Sequence, residues 1–343
     1  MNVDFLIIGQ GLAGSALAMA LIDRGATVIV VDSEDENSAS RVAAGLVTTV
    51  AGKGMNLSWR QGEHLPEAIA YYRKLEEASG KTLFHSLDTL RLFDSEKQRD
   101  KFNNKREQLA GWIEDADPAD LSKWNADYGG FIMSQGGWLD TQAYLQVVRE
   151  VLADRCRNDS FQEDDLIIAD GAVTWKDISA ERIILCQGAR GLTEGGLFSY
   201  LPHRCAKGEI LTVAIPNVSQ EKVINRNGWL IPLGNEKWRA GATYEWEDMS
   251  GATTQAGRSE IEARIRNLTD LPFKVIEHSA GVRPIMRQSQ PYIGHHPDHP
   301  EVSFFNGLGS KGVTTAPSVA AHFAEHLVTG SDLDSSLALS PHK

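Results

Sequence analysis

The stretch "VDFLIIGQGLAGSALAMALIDRGATVIVVDSE", residues 3 to 34, reads as strand, turn, helix and strand. Phe5 to Ile8 is an unbroken apolar run, as a parallel strand buried on both faces requires. From Leu12 to Arg24, Leu17, Ala20 and Leu21 fall at helical spacing, and Gly25 ends the helix. Thr27 to Val31 is the second strand, closed by Asp32 and Ser33.

Gly9, Gly11 and Gly14 form GxGxxG between the first strand and the helix that Leu12 and Ala13 open. The first glycine allows a tight turn. The second lets a pyrophosphate approach the backbone, and the third lets helix and strand pack closely. The helix N-terminus offers NH groups and a positive dipole end to phosphates. Asp32 is placed for ribose hydroxyls. A glycine-rich turn in some other α/β protein would not explain why an acid ends the second strand.

NAD and FAD both use this fingerprint, and the next segment separates them. "SASRVAAGLVTTVAGKG", residues 38 to 54, is small, glycine-bearing and uncharged apart from Arg41 and Lys53. Such a segment lets Ser40, Arg41, Ala43, Ala44, Gly45 and Leu46 lie against a flat ligand. An NAD domain would go straight into another βα unit. A mere linker would be less apolar.

Further on, Glu63 to Ser79 reads as a helix, 81–93 as paired strands, Ser95 to Ala110 as a polar helix and 111–138 as irregular. Thr141 to Arg157 reads as a helix. A hairpin-like run then leads to a buried strand, Arg182 to Cys186, expected to rejoin the N-terminal sheet and end at Gly188. From Lys207 the period changes to two, so "KGEILTVAI", "GWLIPL" and "KWRAGATYEW" read as antiparallel strands, followed by a helix to Leu268 and a strand in "PFKVIEHSAGV". Near the end, Gly307, Leu308, Gly309, Ser310, Lys311 and Gly312 form a loop before a helix. Its positive end suits the charge that builds at N1–C2=O of a reduced flavin.

The chain has 343 residues and a formal net charge of −12, so it is a poor unaided binder of nucleic acid or of anionic membranes. Cys156, Cys186 and Cys205 are scattered, which indicates neither a disulfide framework nor a zinc site. "GHHPDHP" (294–300) is proline-bound turn sequence rather than a metal motif, and no metal is expected. The opening "MNVDFLIIGQG", without a basic segment and interrupted by Asp4, does not read as a signal peptide, and no apolar run is long enough to span a bilayer, so the expectation is a cytoplasmic protein with no membrane partner.

Taken in order, these motifs resemble the D-amino-acid oxidase family of FAD enzymes, which includes glycine oxidase, sarcosine oxidase and the flavin domain of tRNA wobble-uridine modifying enzymes. "GQGLAG" with Asp32, "SRVAAGL" (40–46), "ILCQGAR" (184–190), "AGVRP" with "PYIG", and "GLGSKGVTTAP" (307–317) carry the likeness across the chain. The resemblance implies an α/β (α+β) fold: a Rossmann-like FAD-binding domain from 1–80, 139–205 and 279–343, interleaved with an antiparallel-sheet substrate domain from 81–138 and 206–278. It adds Leu166 and Gly188 to the residues expected at FAD. It implies hydride transfer from a substrate C–H beside an amine to flavin N5, imine hydrolysis, and reoxidation by oxygen or another acceptor.

In the family the Arg of GxRP pairs with a substrate carboxylate, and here that is Arg283. Trp229 falls where glycine oxidase has a carboxylate-binding Tyr, and Ser310 where it has a second Arg, with Lys311 next. An acid usually precedes PxIG, but here the row reads "IMRQSQ", with Arg287. The leading expectation is an amino-acid or amine oxidase or dehydrogenase acting on a small carboxylate-bearing amine. A tRNA wobble-uridine modifying enzyme is the second: "GLGSKGVTTAP" is most like the loop of those members, Tyr244 and Glu245 in "GATYEW" resemble a strand that borders their pocket, and the basic run at Arg99, Lys101, Lys105 and Arg106 adds slight local support. A flavin-binding protein without turnover is the third.

Overall fold

The computed structural model describes residues 1–339; the last four residues of the expected 279–343 segment lie outside them. Two eight-stranded sheets dominate. The first is built on Asn2–Ile8, with Val28–Asp32 and Ile178–Leu185 parallel on its two sides. Cys156–Asn158 extends it beyond Val28–Asp32, and Val302–Asn306 joins Ile178–Leu185, again in parallel. Leu6, Ile7, Val30 and Ile184 are fully buried, as strands covered on both faces demand. Leu17, Tyr72, Tyr144 and Phe323, from the helices Leu12–Ile22, Gln61–Ser79, Thr141–Leu152 and Gly312–Thr329, share one core cluster. A second cluster holds Trp175, Phe198 and Phe304. The hairpin Leu166–Ala169 with Ala172–Trp175, and the strand Tyr292–His295, are antiparallel additions.

The second sheet runs in the order Lys274–Arg283, Ala206–Ala214, Lys237–Gly241, Trp229–Gly234, Val223–Asn225, Thr89–Leu92, Gly130–Met133, Ile113–Asp115. Leu211, Val213, Leu230 and Trp238 pack on Ile261 and Ile265 of the helix Gln255–Leu268. One pair departs from the antiparallel expectation: Val223–Asn225 runs parallel to Thr89–Leu92. These strands are far apart in the chain, so no hairpin dictates their direction. A small sheet of Leu46–Val47, Gly137–Leu139 and Phe84–Ser86 lies beside them.

Several local expectations change. The helix read as Thr141 to Arg157 stops at Leu152, and Cys156–Asn158 turns into the sheet edge. The two strands within 81–93 do not pair with each other but join different sheets. Residues 111–138, read as irregular, hold three short strands. The polar helix is Glu96–Lys105, capped by Ser95, with a tighter last turn at Arg106–Leu109. In "KWRAGATYEW" only Lys237–Gly241 is strand, and beyond it Glu245 bridges back to Lys207.

Candidate active site

A cavity of about 960 Å3 opens at the carboxyl ends of the parallel strands, against Ile8, Asp32, Cys186 and Asn306. That is where open α/β sheets bind ligands. Gly9 has φ +100, and a Cβ there would stand 2.5 Å from the Cys186 carbonyl oxygen. A Cβ on Gly14 would collide with the Gly9 carbonyl oxygen, so the helix approaches the strand as closely as a bare backbone permits. Gly14 therefore shapes the turn without lining the cavity, whereas Gly9, Gly11, Leu12 and Ala13 line it.

The loop is held in shape. Asp32 accepts hydrogen bonds from the Gln10 NH at 2.7 Å and the Glu34 NH at 2.8 Å, one on each carboxylate oxygen. Each oxygen keeps a lone pair for a further donor. The Leu12 NH donates to Ser40 Oγ at 3.0 Å. The helix's own ladder starts with the Ser15 NH on the Gly11 carbonyl, so of the first-turn NH groups those of Ala13 and Gly14, unlike that of Leu12, are left for an anion. Ser33, Arg41, Ala43, Ala44, Gly45 and Leu46 all lie on the wall, as does Gly188, to whose carbonyl the Asn306 side chain donates at 2.7 Å.

Two further residues expected at the cofactor do not line the cavity. Leu166 stands on the outer hairpin and packs into the core, and the wall at that place is made by Asp159 to Asp164. Gly307 is filled against Met286, where a Cβ would collide with its side chain. Leu308, Gly309, Ser310, Lys311 and Gly312 do line the cavity. The helix Gly312–Thr329 starts there, so its first NH groups and positive end face the same space.

The cavity also takes in Trp229, Tyr244 and Arg283. Trp229 stands opposite Gly241, and a Cβ on that glycine would be 2.7 Å from the indole. Arg283 ends the strand Lys274–Arg283. Its guanidinium donates to the Thr243 carbonyl at 3.3 Å and lies 4.4 Å from the Tyr244 ring centroid. Among the described residues no carboxylate lies within ion-pair distance of it. Burial pulls its pKa below the ordinary value, with Tyr244 opposing; it stays a cation at neutral pH. Lys311 also lacks an ion pair among the described residues. Burial, helped by the Arg91 charge, lowers its ammonium to about 8.

Sequence reasoning noted Tyr244 without placing it and passed over Gly208, which the site needs. A Cβ on Gly208 would collide with the Arg283 guanidinium. Only the strand register, Ala206 opposite Arg283, brings them together. Arg287 is exposed, and its NH donates to the Pro202 carbonyl at 3.0 Å. The basic run is largely tied up: Arg99 pairs with Glu96 at 3.5 Å, Arg106 with Asp115 at 2.7 Å, and Lys105 donates to the Gly54 carbonyl at 2.9 Å. Among the described residues no group of three or more His, Cys, Asp and Glu is placed to hold a metal, and no helix is long and apolar enough to cross a membrane.

The glycine cradle, the fixed Asp32, the two helix N-termini and the long cavity between them fit FAD. A family model described as FAD dependent oxidoreductase (DAO) matches residues 4–326. Among curated proteins, the bifunctional protein ThiO/ThiG of Trichormus variabilis is 27% identical over 96% of this chain and 53% of its own length. The tRNA 5-methylaminomethyl-2-thiouridine biosynthesis bifunctional protein MnmC of Burkholderia pseudomallei is 24% identical over 77% of this chain and 43% of its own length. The chain thus spans about half the length of the curated relatives it matches. Among solved structures, iminodiacetate oxidase from Chelativorans sp. BNC1 superposes with a TM-score of 0.83 at 20% identity, covering 97% of this chain and 98% of that one. Glycine oxidase from Geobacillus kaustophilus does so at 0.82 and 17%, covering 100% and 99%, and both likenesses bear on the fold. FAD is the cofactor the cavity is built for, and the chain belongs to the DAO family of FAD-dependent oxidoreductases.

Proposed function

We propose that the chain oxidises the C–N bond of a small amine that carries a carboxylate, an amino acid or an N-substituted glycine. The observation that carries this reading is Arg283, a cation on the cavity wall with no carboxylate partner among the described residues. A planar fork of NH donors suits a carboxylate held by two hydrogen bonds. FAD, when bound, supplies the acceptor for the substrate's hydride. The chain supplies orientation. Arg283 fixes the carboxylate end of the substrate. Trp229, Ile210 and Ala242 give an apolar wall that keeps water from the reacting carbon. Lys311 and the N-terminus of Gly312–Thr329 hold positive charge where reduction adds negative charge.

The names of the similar proteins support this reading: they include oxidases of glycine and of iminodiacetate, both carboxylate-bearing amines. The division into an FAD-binding part (1–80, 139–205, 279–343) and a substrate-binding part (81–138, 206–278) belongs to the same proposal, as does oxygen or another small acceptor. A tRNA substrate has less support. The net charge is −12, and three of the four cations in the basic run are engaged.

The test is anaerobic flavin reduction across D- and L-amino acids, N-alkyl glycines and carboxymethylaminomethyl-uridine. Bleaching by a carboxylate-bearing amine is expected, and Arg283→Ala retains FAD but loses about 10- to 100-fold in apparent substrate affinity, the range for a charged hydrogen-bonded pair. Bleaching only by the modified nucleoside, itself an N-substituted glycine, overturns the small substrate in favour of tRNA, and bleaching by no carboxylate-bearing amine overturns the reading as a whole.

A further inference from the structure

We propose that Tyr244 is a positioning residue for Arg283: its ring and the bare backbone of Gly208 hold the guanidinium flat, so that only its NH-bearing edge is offered to the cavity. This rests on the reading of Arg283 as the carboxylate site.

A free arginine at a cavity mouth has many rotamers, and a ligand that fixes it must overcome that entropy. Arg283 has no ion pair among the described residues to fix it, and its hydrogen bond to Thr243 is long, at 3.3 Å. What confines it is shape. On the strand Ala206–Ala214, Gly208 pairs with Gly281 while Arg283 pairs with Ala206. The guanidinium occupies the space a Gly208 side chain would need. Tyr244 then stands 4.4 Å from it, within the range of a cation–π contact.

The Tyr244 ring is itself braced. It stacks on Trp246 with centroids 5.8 Å apart, and Arg204 lies 4.2 Å from the Trp246 ring. Tyr244 is 50% exposed and Trp246 41%, so burial does not explain their placement. The backbone explains it. Glu245 exchanges two hydrogen bonds with Lys207, at 2.8 and 2.9 Å, and the Lys207 ammonium reaches Asp248 and, at 3.1 Å, the Ala252 carbonyl. A buried lysine thus anchors the segment that presents Tyr244 to Arg283.

The experiment compares two ligands in the FAD-bound protein: (methylthio)acetate and its neutral amide, 2-(methylthio)acetamide. Sulfur replaces the amine nitrogen, so neither can form an imine, and binding is read from the perturbed flavin absorbance. Wild type prefers the carboxylate. Tyr244→Ala reduces the preference about 10-fold, the scale of a partly desolvated cation–π contact, and Tyr244→Phe retains it within about 2-fold. Thermal unfolding of each variant is measured alongside. If Tyr244→Ala keeps the preference, or Tyr244→Phe loses as much as Tyr244→Ala, the clamp is wrong while Arg283→Ala still tests the carboxylate site. If Arg283→Ala keeps the preference, or wild type has none, the carboxylate reading fails and the clamp fails with it.

Discussion

The Arg283 guanidinium lies in the space that a side chain on Gly208 would fill, on the neighbouring strand. What would yield on substitution is the far end of a flexible side chain, not backbone. Gly208→Ala is therefore expected to change the unfolding free energy by about 1 kcal/mol or less, the alanine even restricting the unfolded chain. Function takes the loss instead. With its guanidinium displaced, the enzyme's KM for a carboxylate-bearing amine rises about 10-fold or more, the scale of a charged hydrogen bond. Steady-state kinetics beside a urea melt check this. An unchanged KM in a folded Gly208→Ala enzyme would show that Arg283 does not need this place.

Gly14 makes the opposite case. There the added Cβ meets the Gly9 carbonyl oxygen, which is backbone within the dinucleotide turn. Gly14→Ala must open the contact between the helix Leu12–Ile22 and the strand Asn2–Ile8, at about 1–3 kcal/mol. The turn that cradles the cofactor opens with it, so the variant should elute from gel filtration depleted of FAD. Gly25→Ala is the control. Unlike Gly14 it has positive φ, +82, and nothing stands within 4 Å of its added Cβ. It should cost about 1–2 kcal/mol through backbone strain and keep its FAD.

These two glycines show what the sequence reveals and what it hides. Gly14 is legible because its constraint lies within six residues, in a spacing that only one kind of turn requires. Gly208 sits in "KGEIL" as any strand glycine would, and its reason for being glycine arrives from residue 283 through a register no local pattern states. The same limit explains other differences. Cys156–Asn158 is too short and polar to announce a strand, and it exists because the Val28–Asp32 edge accepts it. Leu166 is apolar and in the right region, but which way its hairpin faces is a tertiary matter. Tyr244 drew notice as sequence, yet its place depends on a loop pinned by a lysine 37 residues away in the chain.

Lys311 gives a pH dependence with a definite sign. Burial and the Arg91 charge lower its ammonium to about 8 in the folded, flavin-free protein, against about 10.4 in an unfolded chain. Between these values the unfolded state binds more protons, so stability rises with pH across the window. Below about pH 8 the full penalty of a buried cation is present, and it is relieved as pH climbs towards the unfolded value. Thermal unfolding of the flavin-free protein from pH 7 to 10.5 should therefore show wild type gaining on Lys311→Met above pH 8. Parallel curves for the two proteins across that range would remove Lys311 as the titrating group.

Lys207 supports the clamp from beneath, and its removal should be costly. Its side chain is 1% exposed, hydrogen bonded to Asp248 and to the Ala252 carbonyl, with a Glu209 oxygen at 4.0 Å. Glu209 is also buried and accepts from the Thr254 NH at 2.9 Å and hydroxyl at 2.8 Å. Lys207→Met keeps most of the side-chain volume but removes the hydrogen bond to Asp248 and the cation nearest Glu209, which keeps its two Thr254 donors and the His278 imidazole at 2.7 Å, a loss of about 1.5–3 kcal/mol, the range for a charged hydrogen bond. The double variant Lys207→Met/Glu209→Gln also removes the Glu209 charge and should recover part of that stability. Its 244–252 segment, without the Asp248 anchor, should still exchange amide hydrogens faster than wild type. Urea denaturation of the three FAD-bound proteins measures the first effect and hydrogen exchange the second. A Lys207→Met protein as stable as wild type would mean that neither Glu209 nor the 244–252 segment depends on Lys207.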